Sequence, residues 1–194
     1  MSGIRSRALA RWLSAVLFCT TTASAAAPTE RAFAVAPQPS WVQRIEVPET
    51  FEVPLGQVSG GSYYLLADRQ LRYAGSGAEN FAHFAVKALD ASGVESVANL
   101  EIVFDPTYER LTIHRVAVLR AGKWLDKLET ASVRTLQREQ DLEYRLFDGA
   151  VTVSIVLDDV RVGDIVAHAF TVTGSNPVFG DARFGRMDLQ WSSP

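Results

Sequence analysis

The chain predicts an all-β domain, mainly an antiparallel β-sandwich, with at most short helical turns and an N-terminal signal segment. Three observations predict it. Short apolar and β-branched runs recur with turn signals about every ten residues, without helical patterns between them. Within several runs apolar and polar residues alternate with the period of a pleated strand. The stretch from Val151 to Phe184 reads as two strands joined by an acidic, glycine-bearing turn and closed by a second turn.

The 194 residues suit one domain, or one domain plus a tail, and 47% hydrophobic against 21% charged residues is an ordinary globular balance. Residues 1–25 read as an export signal: Arg5, Arg7 and Arg11 precede the apolar run Trp12 to Phe18, then the small-x-small pattern Ala23-Ser24-Ala25. The run is far shorter than the roughly 20 residues of a membrane-crossing helix, so no stable membrane span is expected. Phe18 before Cys19 argues against a lipid anchor. Cleavage after Ala25 removes three arginines and no acid, taking the formal net charge from -3 to -6. An acidic chain is a poor partner for nucleic acid. Cys19 leaves with the signal, so packing rather than a disulfide must hold the exported, periplasmic or extracellular product.

Residues 26–40, rich in alanine and proline, read as a disordered lead-in, and 41–194 as the β-sandwich domain. Trp41 to Val47 reads as a first short strand, before a loop punctuated by Pro48, Pro54, Gly56, Gly60 and Gly61. Tyr63 to Tyr73 suits a strand. Phe81 to Leu89 and Val97 to Phe104 flank Asp90-Ala91-Ser92-Gly93, which reads as a hairpin loop with glycine in the left-handed position. Asp105-Pro106-Thr107-Tyr108 is a turn.

In the run Leu111 to Arg120, Leu111, Ile113, Ala117 and Leu119 fall on one face and Thr112, His114, Val116 and Val118 on the other. That suits a central strand covered on both sides. Ala121-Gly122 turns it into Lys123-Trp124-Leu125. Leu128 to Tyr144 reads as a strand plus a helical turn. Val151, Val153, Ile155 and Leu157 present one apolar set to the core, and Asp164 to Thr173 returns antiparallel through the Asp158 to Gly163 turn. Gly174-Ser175-Asn176-Pro177 makes the next reversal, and Arg183 to Trp191 is the last strand.

No complete catalytic set follows from the residues. A thiol mechanism needs a thiolate beside a histidine, and no thiol remains after the signal is removed. No G-x-S-x-G elbow occurs, and Ser59 and Ser175 sit in loops that read as turns. His83, His114 and His168 are far apart in sequence and lack metal-motif spacing, so they read as partly buried histidines satisfied by backbone or acids. Gly75-x-Gly77-x-x-Asn80 opens no helix and reads as a loop. Asp158, Asp159 and Asp164 lack calcium-loop spacing and read as solvated turn acids. Trp41, Tyr63, Tyr64, Tyr73, Trp124 and Trp191 could line a groove, but in a sandwich most aromatics pack. The expectation is no cofactor, no metal and no catalytic residue.

Several spaced motifs carry a resemblance. Phe104-Asp105-Pro106-x-Tyr108-x-x-Leu111-x-x-His114, then Arg120-x-Gly122-x-Trp124, then Asp159-Val160-Arg161-Val162-Gly163-Asp164, and finally Gly174-x-Asn176-Pro177-Val178-Phe179 resemble the bacterial domain of unknown function 3857. The resemblance covers roughly Trp41 to Pro194. It implies an exported β-sandwich accessory module that precedes a transglutaminase-like domain, whose cysteine, histidine and acid would lie beyond Pro194. On that reading the chain is C-terminally truncated, and the sheet edge left there contacts the partner domain. Where relatives often carry tyrosines this chain has Ala167-His168-Ala169-Phe170. Trp124, His114, Asn176 and Phe179 form the candidate binding surface. The alternative is a stand-alone module for a cell-surface peptide or glycan.

Overall fold

Strand-forming residues dominate long stretches of this chain, and the computed structural model, which describes residues 32–48, 52–53, 58, 60–74, 77–137 and 149–180, pairs them into two sheets. The strands are β1 (Phe33–Val35), β2 (Ser62–Ala74), β3 (Gly77–Ala88), β4 (Asn99–Phe104), β5 (Glu109–Arg120), β6 (Lys123–Asp126), β7 (Ser132–Gln137), β8 (Val151–Val156) and β9 (Ile165–Gly174). One helix, α1 (Ala91–Ala98), interrupts them. The larger sheet runs β1-β5-β9-β3-β2, with β6 also on β5, and the smaller runs β4-β8-β7. All pairs are antiparallel except β1 with β5. β1 and β6 share one edge of β5, β1 pairing with Leu111 to Ile113 and β6 with Ala117 to Arg120.

The facing sides of the sheets bury the main core. Val86 of β3, Leu111, Ile113, Val116 and Val118 of β5, and Val166 of β9 meet Leu100, Ile102 and Phe104 of β4 and Val153 and Ile155 of β8. The β-sandwich expected from the sequence is the observed architecture, and the register expected for Val153, Ile155 and Leu157 holds, all three being buried.

β5 is covered on both sides, as its two apolar faces require, but its alternation is not regular. A bulge between Ile113 and Arg115 leaves His114 without a register partner on β9. The extra residue swaps the faces beyond it. Val116 and Val118 therefore join Leu111 and Ile113 in the core, while Ala117 and Leu119 turn to the outer side.

Three connections differ from the sequence reading. Asp90 to Gly93 opens α1 rather than a hairpin: the Asp90 carboxylate accepts the Gly93 N–H at 2.8 Å as an N-cap. Gly93 is required for close approach, because a Cβ there would overlap the Gly61 carbonyl oxygen. Second, β8 and β9 do not pair; the turn between them passes the chain from one sheet to the other. Third, Phe33–Val35, inside the alanine- and proline-rich lead-in, forms β1, whereas residues 43–48 run over the outer face of the larger sheet without strand pairing. The strand expected in Leu128 to Tyr144 is β7 at Ser132–Gln137. Residues 1–31, with the signal segment, residues 138–144 of the stretch read as a strand plus a helical turn, and the strand Arg183 to Trp191 lie outside the described residues.

The inter-sheet turn is held by a charged clamp built from the motif residues. Arg120 Nε and Nη2 donate to the Asp164 carboxylate at 2.9 and 2.7 Å, and its Nη1 donates to Asp159 Oδ2 at 2.9 Å. Asp164 also accepts the Arg161 N–H at 2.8 Å, and Arg161 Nε donates to Asp159 Oδ1 at 2.8 Å. Asp159 adopts φ +58°, a conformation that aspartate tolerates better than most residues. Hydrogen bonds from Arg161 and Arg120 lower its carboxyl pKa to about 2. Of the three acids expected to be solvated, Asp158 and Asp159 are exposed, though Asp159 is also held in the clamp, whereas Asp164 is buried within it. Asp164 is buried, so Asp164→Ala, which strips three donors of their acceptor, is expected to cost about 2 to 3 kcal/mol. Urea unfolding followed by circular dichroism would read that loss, and an unchanged midpoint would remove the clamp from the account of stability.

Candidate functional site

The outer face of the larger sheet is graded by side-chain size. Asp68, His83, Ala169 and Arg115 are successive register partners across β2, β3, β9 and β5. Directly opposed residues on antiparallel strands share a face, so these four form one row. The neighbouring row is Leu66, Ala85, Ala167 and Ala117. Ala169 therefore lowers the floor between His83 and Arg115, whose Cα atoms stand about 10 Å apart at the spacing of two strand intervals, and three more alanines lower the row beside it.

Residues 36–48 cross this floor as a strap. Ala36 N–H donates to Ile113 O at 3.2 Å, and His114 Nδ1–H donates to Ala36 O at 2.9 Å. Further along, Gln70 clasps Gln43, accepting its N–H at 2.8 Å and donating to its carbonyl at 2.7 Å. Val42, flanked by Trp41, packs on Phe81 and Ala169, and Val47 packs on Ala85, Leu119, Ile165 and Ala167. Arg72 lies 4.9 Å from the Trp41 ring centroid.

A pocket of about 410 Å³ remains between strap and sheet. Gln38, Arg44 and Glu46 line it from the strap, His83, His114 and Arg115 from the sheet, and Trp124 and Asp126 from β6. Arg115 stacks on Trp124, 4.0 Å from the ring centroid, and forms no salt bridge among the described residues. Burial first, then the Arg44 charge, lowers its affinity for a proton. His83 is 8% exposed, and its Nε2 has no hydrogen-bond partner among the described residues. Burial first, then the Arg115 charge, lowers the His83 pKa, which disfavours the protonated ring.

Of the four sequence-predicted residues, Trp124 and His114 line this one pocket. His114 has both nitrogens engaged: Nδ1 donates to Ala36, which leaves Nε2 to accept the Thr171 hydroxyl at 2.7 Å. That hydroxyl–imidazole contact resembles a nucleophile and its base, but Thr171 is only 3% exposed, out of reach of a substrate carbonyl. Asn176 and Phe179 lie elsewhere, past the far end of β9. Asn176 Oδ1 accepts the Val178 N–H at 3.0 Å and caps the single 3-10 turn Pro177–Phe179. The five residue steps from Ala169 to Gly174 alone span about 16 Å of strand.

His83 and Arg115 are the sheet residues of the pocket without a direct polar partner among the described residues, and motif reading did not single them out as a pair. Their juxtaposition depends on cross-strand register and on the His114 bulge, neither of which is written in local sequence. One usable signal exists: histidine amid alternating small residues, His83 with Ala85 and Ala167 with Ala169, marks a face with room above it.

A second pocket of about 400 Å³ lies on the opposite face, beside β4, with Arg69, Phe84, Glu101, His168 and Phe170 in its lining. His168 sits 5.3 Å from Phe84 and 6.2 Å from Phe170, ring to ring, and its Nδ1 is buried without a hydrogen-bond partner among the described residues. His83 and His168 thus occupy opposite faces of the sheet, and no group of three metal-ligating side chains converges among the described residues.

Comparison with known proteins agrees with the architecture. The sequence pattern of a domain of unknown function that has a solved structure, DUF3857, matches residues 75–194. The crystal structure of a protein from Parabacteroides distasonis, described as a candidate protease, is similar with a TM-score of 0.50 at 12% identity. The similarity covers 59% of this chain and 23% of that one. No curated protein matches.

Proposed function

Because the chain belongs to the DUF3857 family, we propose that it is a noncatalytic, exported accessory domain. It packs against, or presents substrate to, a transglutaminase-like domain of cysteine peptidase type in the same longer polypeptide. One observation carries this reading: the shared fold occupies 23% of a longer chain that is described as a candidate protease. A β-sandwich that fills a minor share of such a chain supports a module serving chemistry performed elsewhere. The residues are consistent with that division. Removal of the leader would take Cys19 with it, and the hydroxyl–imidazole contact at Thr171 is closed to substrate.

The expected result is that the purified chain neither hydrolyses amides nor transfers acyl groups from glutamine peptides. In a polypeptide carrying the transglutaminase-like domain, deleting the sandwich raises KM. Amide hydrolysis by the chain alone, lost on changing one of its own side chains, would overturn the reading; so would unchanged KM and kcat after the deletion. The pocket beneath the strap favours a second reading, a stand-alone module that binds a cell-surface peptide or glycan.

A further inference from the structure

The pocket beneath the strap holds two polar groups that the fold itself leaves unsatisfied. His83 is buried with Nε2 lacking a partner, and Arg115 is half-buried with no carboxylate within salt-bridge distance among the described residues. Buried polar groups in native proteins are nearly always hydrogen-bonded, and an exception calls for a cause. Both flank Ala169 in one row, so a hollow one small residue wide separates them.

The pocket is lined by two cations, Arg44 and Arg115, and two carboxylates, Glu46 and Asp126, but only one cation and one carboxylate are directly paired. Glu46 is already paired with Arg44 at 2.7 Å. Asp126 is exposed and accepts the Leu128 N–H at 2.9 Å; its charge reaches Arg115, but it forms no salt bridge with it. Arg115, stacked on Trp124, is thus left without a direct carboxylate partner, and His83 stands in the same row beyond Ala169 with a ring whose charged form burial disfavours. A guanidinium with an opposed N–H donor complements a planar anion with two acceptor oxygens.

We propose that this pocket binds a carboxylate, with Arg115 as its charged anchor and His83 Nε2–H as the second donor. The occupant is small, because about 410 Å³ lies near the lower end for ligand sites. The carboxylate could belong to a peptide C-terminus or to an acidic sugar, two sources of the same chemistry. The site is built from this chain alone and does not depend on the accessory reading.

The test titrates the whole chain with N-acetyl-Ala-Ala, with its C-terminal amide, with sodium glucuronate and with inorganic phosphate. Binding is read by calorimetry and by the 15N shift of the His83 ring. The acid forms are expected to bind and to move the His83 Nε2 resonance; the amide is not. Preference for the dipeptide assigns a peptide end, and preference for glucuronate assigns a sugar acid. Arg115→Gln weakens carboxylate binding about ten-fold or more, and His83→Gln by a smaller factor. Arg115→Lys, which keeps the charge and the alkyl stem, serves if the glutamine variant fails to fold, and it too weakens binding because the fork geometry is lost. Equal binding of acid and amide would overturn the proposal. So would affinity untouched by both Arg115 variants, tighter binding of phosphate than of either acid, or silence of all four ligands up to about 10 mM. None of these outcomes bears on the deletion test of the accessory role.

Discussion

Ile155→Asp is expected to abolish folding of the domain. Ile155 is fully buried at the centre of β8, with Leu100 of β4 on one side and Val133 of β7 on the other. Removing the isoleucine forfeits about 2 to 5 kcal/mol of packing and transfer energy. The carboxylate that replaces it has no cation among its core neighbours, which are apolar, and an uncompensated buried charge costs several kcal/mol more. A domain of this size is stable by only about 5 to 15 kcal/mol in total. Nor can the strand relieve the clash by slipping one residue, because that would expose Val153 and Leu157 together. The variant should appear in inclusion bodies or show no cooperative melt. Soluble protein with an unchanged melting temperature would defeat the register given for β8.

Acidification should weaken the fold well before its carboxylates titrate, and His168 should account for most of the early loss. Burial lowers the His168 pKa to about 4, from an ordinary value near 6.5. Above pH 6.5 the ring is neutral in both folded and unfolded chains and contributes no pH dependence. As pH falls below 6.5 the unfolded chain takes up a proton that the folded chain refuses, so stability drops until about pH 4, where both are protonated. A shift of that size corresponds to about 3 kcal/mol at the bottom of the window. His83, lowered in the same direction, adds to the slope. Asp159 acts in a separate, lower window: its contribution is intact above the ordinary carboxylate value and fades as pH falls toward about 2.

His168→Phe isolates the first effect. It preserves an aromatic ring between Phe84 and Phe170 and removes the nitrogen that lacks a partner. Urea midpoints at pH 7.5 should match or exceed those of the parent, and the decline between pH 6.5 and 4 should shrink by about 3 kcal/mol. Parallel pH profiles for parent and variant would assign the acid sensitivity to other groups.

The local devices of this fold were legible in its residues. Ala121-Gly122 forms the expected tight turn, both residues at positive φ, and Asp105 accepts the Thr107 N–H at the head of its own turn. The apolar beat of Val153, Ile155 and Leu157 identified a core strand correctly. What local pattern could not decide was partnership. β8 and β9 each look like half of a hairpin, yet an alternating strand states only which face is buried, and both strands can bury theirs in one shared core from opposite sheets. The Asp90 signal was ambiguous for a similar reason, since an aspartate followed by a glycine three residues later suits a turn or an N-cap equally well. The bulge at His114 changed which residues share a face with Arg115. The pocket therefore depended on a one-residue irregularity that alternation arguments assume away.

The family match is shorter than the resemblance read from Trp41 onward, and the strap, β1 and β2 all lie upstream of it. The match begins at residue 75, whereas β2 is paired along the whole of β3 and ends at Ala74. β1 and Val42, Val47 and Trp41 come earlier still. A fragment excised at the recognised boundary would thus keep the smaller sheet intact but leave β3 as a raw margin, with Phe81, Ala85 and Ala169 stripped of their lid. The stretch matched by the family is shorter than the sheet it builds, and cloning limits should follow the sheet.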